Sequence, residues 1–376
     1  MDIISLLQLA RSKKASDLHL VAGGPPVARI HGSLTKLEEI PCLTPEDVQQ
    51  LFEQLTSSPE NREQFKKQAE LDFSFSIPDS GRFRCNAARQ MGTTTMVIRI
   101  LPSTTPSLEN LGLPAICKTL ITRPRGMIII SGPTGSGKST TMAAMIDYLN
   151  KNKDGRGRRI VTIEDPVEYV YQNENCVITQ RELGSDTHSF TEALRHVLRQ
   201  DPDVILIGEM RDTETARAAL TIAETGHLVM TPGHAPSTSG AVERIIDLFP
   251  PYERNLAQSR LANLLNGILC QTLIPRKDKS GMVAAIEVLL ANGAARNIIR
   301  EGKIFQLPNV IRTNLKEGMQ LLDQALIQLY KDGTISYENV VSFCNDRDEI
   351  ERSIGKDPSQ SSVSPSEPAM TNAKYN

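Results

Sequence analysis

The chain has 376 residues, long enough for two domains, and a net charge of −2 with acids and bases intermixed. It has no tryptophan and is only 4% aromatic, which speaks against a stacking platform for single-stranded nucleic acid, and the missing basic excess speaks against a dedicated DNA binder. No two of its six cysteines stand at Cys-x-x-Cys spacing, so buried free thiols in a reducing compartment fit better than a zinc ribbon or a thioredoxin-like site.

In chain order, residues 2–13 place apolar side chains at helical spacing, with an acid before the apolar part and bases after it, the reverse of a secretion signal. No apolar run approaches the ~18 residues that span a bilayer, so a cytoplasmic chain without membrane insertion is expected. DLHLVAG (17–23) and PVARIHG (26–32) alternate like the two strands of a hairpin. Residues 45–56 read as a helix capped by Thr44, and strand-like runs follow at 70–77, 81–90 and 93–101. Residues 1–101 therefore form an expected α+β domain, and the Pro- and Ser-bearing stretch 102–114 suits a linker. Short apolar runs at 126–131, 159–165, 203–210, 226–231 and 282–291 then alternate with helical patterns at 139–150, 190–200 and 213–225. That alternation predicts an α/β domain over 115–354 with a parallel sheet covered by helices on both faces. Two more helices are expected at 319–330 and 336–344. Residues 355–376 carry almost no large apolar side chain and are expected to be disordered.

GPTGSGKS (132–139) fits G-x-x-x-x-G-K-[ST] and sits between an apolar strand and a helix, the context such a motif requires. Gly132, Pro133, Thr134, Gly135, Ser136 and Gly137 form a loop whose backbone N–H groups wrap an anion at a helix N-terminus. Lys138 then reaches the β- and γ-phosphates of ATP, Ser139 holds Mg²⁺ and Thr140 assists. In DVILIGEMRD, four apolar residues from Val204 to Ile207 bury a strand and Glu209 emerges past its end. Ligands bind at that end of open α/β sheets, which makes Glu209 a candidate general base for water; the alternative is a plain surface acid.

Three further patterns stay open on the residues alone. In TIEDPVEYV (162–170), Glu164, Asp165 and Glu168 gather around Pro166 and suit either a water- or Mg²⁺-positioning group or an exposed acidic loop. In GHLVMTPGHAPSTSG (226–240), His227 and His234 stand seven residues apart with Pro232 and Gly233 between them. A metal site, a catalytic base, a phosphate sensor and an ordinary loop all fit that spacing. Arg82 and Arg84 share one face of a strand, with Arg99 on another, which suits a solvated sheet face as well as phosphate binding.

The succession GPTGSGKST, TIEDPVEY, ITQRELG (178–184), ILIGEMRD and a glycine-histidine segment resembles the secretion ATPases of type II secretion and type IV pili. KASDLHL (14–20), ARNIIREGK (295–303) and the later EGMQLLDQALIQLYKDGTIS resemble the pilus-retraction subgroup, and neither the extra N-terminal region nor the tetracysteine insert of the extension and secretion members is present. The resemblance implies a PAS-like N-terminal domain, a RecA-like ATPase domain with C-terminal helices, and a homohexameric motor that works with an inner-membrane platform protein and pilins. It implies that Glu164 and Glu168 serve the site and that His234, with His227, forms a box reporting the γ-phosphate. The usual leucine and threonine of that box are Gly233 and Ala235 here, so restoring them is expected to raise turnover. The resemblance also implies that Arg82, Arg84 and Arg99 reach a nucleotide held between protomers, and that Arg296, Ile299 and Arg300 couple hydrolysis to the load. A nucleic-acid translocase and a nucleotide-binding ring member with little hydrolysis are the rival readings.

Overall fold

Asp2 starts the first helix, Ile3–Ser12, by accepting from the N–H groups of Ile4 and Ser5, and the helix buries Ile3, Leu6, Leu7 and Ala10. This and everything below comes from a computed structural model describing residues 1–355 except 31, 57, 79, 103 and 154. Thr44 caps helix Pro45–Leu55 as expected, in a reciprocal capping box with Asp47. Six strands follow the chain through the first unit: β1 Ala15–Leu20, β2 Val27–Ile30, β3 Ser33–Lys36, β4 Glu70–Ile77, β5 Gly81–Gln90 and β6 Thr93–Ile100. They form one antiparallel sheet in the order β3-β2-β1-β6-β5-β4. Period-two alternation sets its faces. β5 sends Phe83, Cys85 and Ala87 into the core with Leu7, Leu18 and Met96, and leaves Arg82 and Arg84 on the opposite face.

The second sheet has strands β7 Gly126–Ser131, β8 Arg159–Glu164, β9 Val177–Glu182, β10 Val204–Ile207, β11 Leu228–Pro232, β12 Leu265–Pro275 and β13 Met282–Leu290. Their order is β13-β12-β7-β11-β10-β8-β9. β7 runs parallel to β11 and β12, and its residues Met127 to Ile130 are fully buried. β12 pairs antiparallel with β13, so the sheet is mixed where an all-parallel one was expected. The reason is a strand absent from the sequence reading. Helix Arg254–Leu264 passes into β12 at Leu265 with no glycine, proline or loop between them. The expected helices near 319–330 and 336–344 are present as Leu322–Lys331 and Tyr337–Phe343, packed with Ile274, Val283 and Ala285 of β12 and β13.

Two compact units divide the chain, Met1–Thr105 with Ile163–Asn173 and Ile178–Ser189, and Pro106–Thr162 with Glu174–Val177 and the chain from Phe190 onward. This differs from a contiguous division at 101 and 115. Arg82 supplies the physical reason within the first unit: it donates to Val167 O and pairs with Glu182, tying both later segments to β5. The expected disordered tail lies, past Gly355, outside the described residues. Among the described residues no helix is long and apolar enough to cross a membrane.

The segment assigned to load coupling has a different place. Arg296, on helix Gly293–Arg300, donates to the carbonyls of Ala262, Asn263, Leu265 and Ala291. It caps the end of helix Arg254–Leu264 from a distance, satisfying carbonyls a helix terminus leaves open. Ile299 is fully buried. Both therefore carry part of the fold, and Arg300, exposed and bonded to Asn263, stands at the surface. Ile299→Ala is expected to cost about 2–5 kcal/mol of stability and to lower ATPase and motility together, read by thermal denaturation beside both assays.

Candidate nucleotide-hydrolysis site

The anion cradle is built by close approach. Gly132 has φ +141°, and a Cβ there would stand 2.3 Å from Gln271 O; at Gly137, φ +84°, it would stand 2.8 Å from Gln271 Nε2. Only glycine fits these positions. Gln271, on β12, donates to Ser136 O and accepts from Thr141 Oγ1 at 2.7 Å, stapling the loop to the first turn of helix Lys138–Lys151. Lys138 Nζ donates to Gly132 O at 2.8 Å and Pro133 O at 2.9 Å. Burial holds its pKa below the ordinary lysine value. A half-buried cation resting on loop carbonyls, with the N-terminus of a fourteen-residue helix beside it, fits a polyphosphate. Ser139 stands in the first helical turn, half-buried, with Thr140 next to it.

β10 and β11 are parallel neighbours, so residues just past their ends meet. Glu209 lies two residues beyond Ile207 and His234 two beyond Pro232. His234 Nε2 is 3.7 Å from Glu209 Oε1, too long for a direct hydrogen bond. Arg211 Nε donates to the same carboxylate oxygen. Burial and then the nearby Lys138 charge lower the His234 pKa from 6.5, outweighing the opposite pull of Glu209. His234 is therefore neutral at neutral pH, with one ring N–H to donate.

The turn that presents His234 is anchored by Ser131, whose hydroxyl donates to Ala235 O at 2.7 Å and accepts from Ala235 N at 3.0 Å. Pro232 does not shorten the strand. It pairs in register with Ile130, and the next N–H, that of Gly233, bonds Ile130 O at 2.8 Å. Gly233 is needed because a Cβ there would stand 2.9 Å from Ser131 Oγ. A leucine at 233 would press on Ser131, so restoring the leucine and threonine meets a steric cost at this position. Gly233→Ala is expected to cost about 1–3 kcal/mol, break the Ser131 bridge and lower turnover, measured by melting and by phosphate release.

His227 stands apart from His234. It precedes β11 at the end opposite His234, where its carbonyl accepts from Gly126 N, at the start of β7. Its Nδ1 lies 3.0 Å from Thr225 Oγ1 and 3.2 Å from Ile222 O, at the end of helix Thr213–Glu224. A five-residue strand of about 3.3 Å per residue separates the two histidines, so they share neither a phosphate nor a metal ion. The His227 ring is placed to close that helix end.

Glu164, at the end of β8, accepts from Gln180 Nε2 at 3.2 Å, and Glu168 is half-buried in the segment after it; both belong to the first unit. The arginines of that unit divide. Arg82 bonds Glu182, Val167 O and Ser76 Oγ, and so is held to its own unit. Among the described residues Arg84, half-exposed, has Asp72 at 3.9 Å, and Arg99 is well exposed with its Nε on Asp17. Sequence reasoning missed Ser131, Gln271 and Arg211. It also missed a cavity of about 210 Å³ beside Gly137 and Thr140, walled by Leu111, Leu113, Leu273 and Met282 with Arg276 and Asn110. An apolar chamber with a few polar groups suits a planar base.

Comparison with known proteins agrees with this geometry. The family described as type II/IV secretion system protein matches residues 3–324. The type IV pilus retraction ATPase PilT of Pseudomonas aeruginosa is 44% identical over 339 residues, 90% of this chain and 97% of that one. A twitching motility protein of Neisseria gonorrhoeae is 42% identical over 336 residues, 89% of this chain and 88% of its own. The crystal structure of the pilus retraction motor PilT with bound ADP superimposes with a TM-score of 0.87 at 42% identity, covering 94% of this chain and 99% of that one. An α/β chain with a glycine cradle, a facing carboxylate and this span of similarity belongs to the type II/IV secretion system protein family.

Proposed function

We propose that this protein is an ATPase that powers retraction of type IV pili, acting as a homohexamer on pilins and a platform protein at the cytoplasmic side of the inner membrane. The observation that carries hydrolysis is the meeting of Glu209 and His234 at adjacent strand ends in the unit that holds the P-loop. Similarity to PilT along nearly the whole length of both chains supports retraction as the work done.

ATP lies with its phosphates on residues 132–140 and its base in the cavity walled by Leu111 and Leu273. Glu209 accepts a proton from the water that attacks the γ-phosphorus, a role worth about 10²–10⁴ in rate. Neutral His234 donates its N–H to a γ-phosphate oxygen and loses that partner when phosphate leaves. Ser139 would hold Mg²⁺, which would supply charge neutralisation to the phosphates. Arg84 and Arg99 reach the nucleotide of a neighbouring copy, where guanidinium groups stabilise charge spread over phosphoryl oxygens. Arg300, at the surface, faces the load.

Phosphate release by the purified full chain, with and without DNA, tests the reading. Hydrolysis indifferent to DNA is the expected result. DNA-stimulated hydrolysis points to a translocase, and nucleotide binding without hydrolysis to a passive ring member; either overturns the proposal.

A further inference from the structure

Arg29, Asp17, Arg99 and Arg84 form one row across β2, β1, β6 and β5, each in register with the next. Residues paired this way share a sheet face with Cβ atoms about 5 Å apart. Arg84 and Arg99 are thus like charges directly opposite each other, an arrangement that is unfavourable without an anion. One buried carboxylate serves the row, Arg84 having the exposed Asp72 at 3.9 Å besides. Asp17 is 7% exposed, and a buried carboxylate is costly unless it is bonded. It accepts from Arg99 Nε at 2.9 Å and Ser16 Oγ at 2.8 Å, and Arg29 Nε lies 3.9 Å away.

The Arg99 contact is made through Nε rather than through the terminal fork. A guanidinium has five N–H donors, and among the described residues Asp17 engages Arg99 only at Nε. Among the described residues no acceptor holds its terminal nitrogens, whose donors remain for another partner. Arg29 is held elsewhere as well, donating Nη1 to Gly32 O at 2.8 Å, so of the two arginines beside Asp17 it is the more fixed and Arg99 the better placed to act. Asp17 belongs to KASDLHL, which the proposed function leaves without a role.

We propose that Asp17 is the positioning residue of Arg99: its buried carboxylate fixes the guanidinium through Nε and presents the terminal nitrogens to the phosphoryl oxygens of a nucleotide bound by a neighbouring copy. This rests on the reading that Arg99 acts between copies. Asp17 itself touches no nucleotide; it limits the orientations Arg99 samples, so its effect falls on the chemical step.

The test is a double-mutant cycle on the full-length assembled protein, reading kcat and KM for ATP with the thermal midpoint alongside. Asp17→Asn is expected to lower kcat about tenfold, the size of one lost charge-assisted contact, with KM and midpoint little changed. Arg99→Ala is expected to lower kcat further, and Asp17→Asn on top of it to add nothing, because the carboxylate then has nothing to orient. Should Asp17→Asn fail to fold, Asp17→Glu takes its place, keeping the charge and displacing the guanidinium, with the same absence of additivity expected. Losses that multiply in the double variant, or a midpoint that falls in step with kcat, overturn the positioning role. A slow Arg99→Ala protein beside a wild-type Asp17→Asn protein also overturns it while leaving the arginine reading intact. Wild-type turnover in Arg99→Ala removes the arginine reading, and the positioning role with it.

Discussion

Glu209→Gln is expected to bind ATP like the parent and to hydrolyse it about 10²-fold more slowly or worse. The amide matches the carboxylate in shape but cannot take the proton of the attacking water. Glu209 stands past the end of β10, outside the buried strand, so the change leaves the sheet intact. It also ends the ion pair with Arg211, an exposed arginine whose loss of partner costs little in water. The variant should therefore melt close to the parent temperature. Rapid-quench phosphate release beside equilibrium ATP binding separates the outcomes: unchanged turnover removes Glu209 from the base role, and lost binding gives it a part in holding nucleotide instead.

Lys138→Ala is the second large effect, and it falls on binding. The ammonium lies on the carbonyls of Gly132 and Pro133 at the mouth of the cradle. An incoming polyphosphate replaces those neutral acceptors with charged ones. Charge-assisted hydrogen bonds are worth about 1.5–3 kcal/mol each, so loss of the side chain should weaken ATP affinity at least tenfold. Gln271 still bonds Ser136 and Thr141, so the loop keeps its shape without the lysine. ATP affinity measured by calorimetry checks this, and an unchanged value would remove Lys138 from the phosphate site.

What could be read from the sequence was local, and what could not was supplied from far along the chain. The P-loop is one contiguous string, and Glu209 follows four buried residues that mark a strand end. Thr44 and Asp47 announce their helix within a single turn. Gln271 and Ser131, by contrast, act across 130 and 104 positions, and a glutamine or serine on an apolar strand carries no mark of its partner. β12 was hidden because the stop of helix Arg254–Leu264 comes from Arg296 rather than from a glycine or proline beside it. Helix Pro59–Gln68 was missed because it is polar almost throughout and buries only Phe65. The same limit hid the bonds that His227, Arg82 and Arg296 make within the fold. Each motif position was visible, but whether a side chain was already spent on the fold depended on contacts with Ile222, Glu182 and Ala262. Gly233 shows the reverse: a departure from the family pattern fits a serine one strand away.

The central claim, that hydrolysis at this P-loop drives retraction, is tested most directly in the cell that makes the protein. The gene is replaced by its Glu209→Gln form, protein level is matched by immunoblot, and surface pili are counted beside surface motility. More surface pili with motility lost are expected. Parental piliation and motility, with the purified variant shown to be inactive, would contradict it.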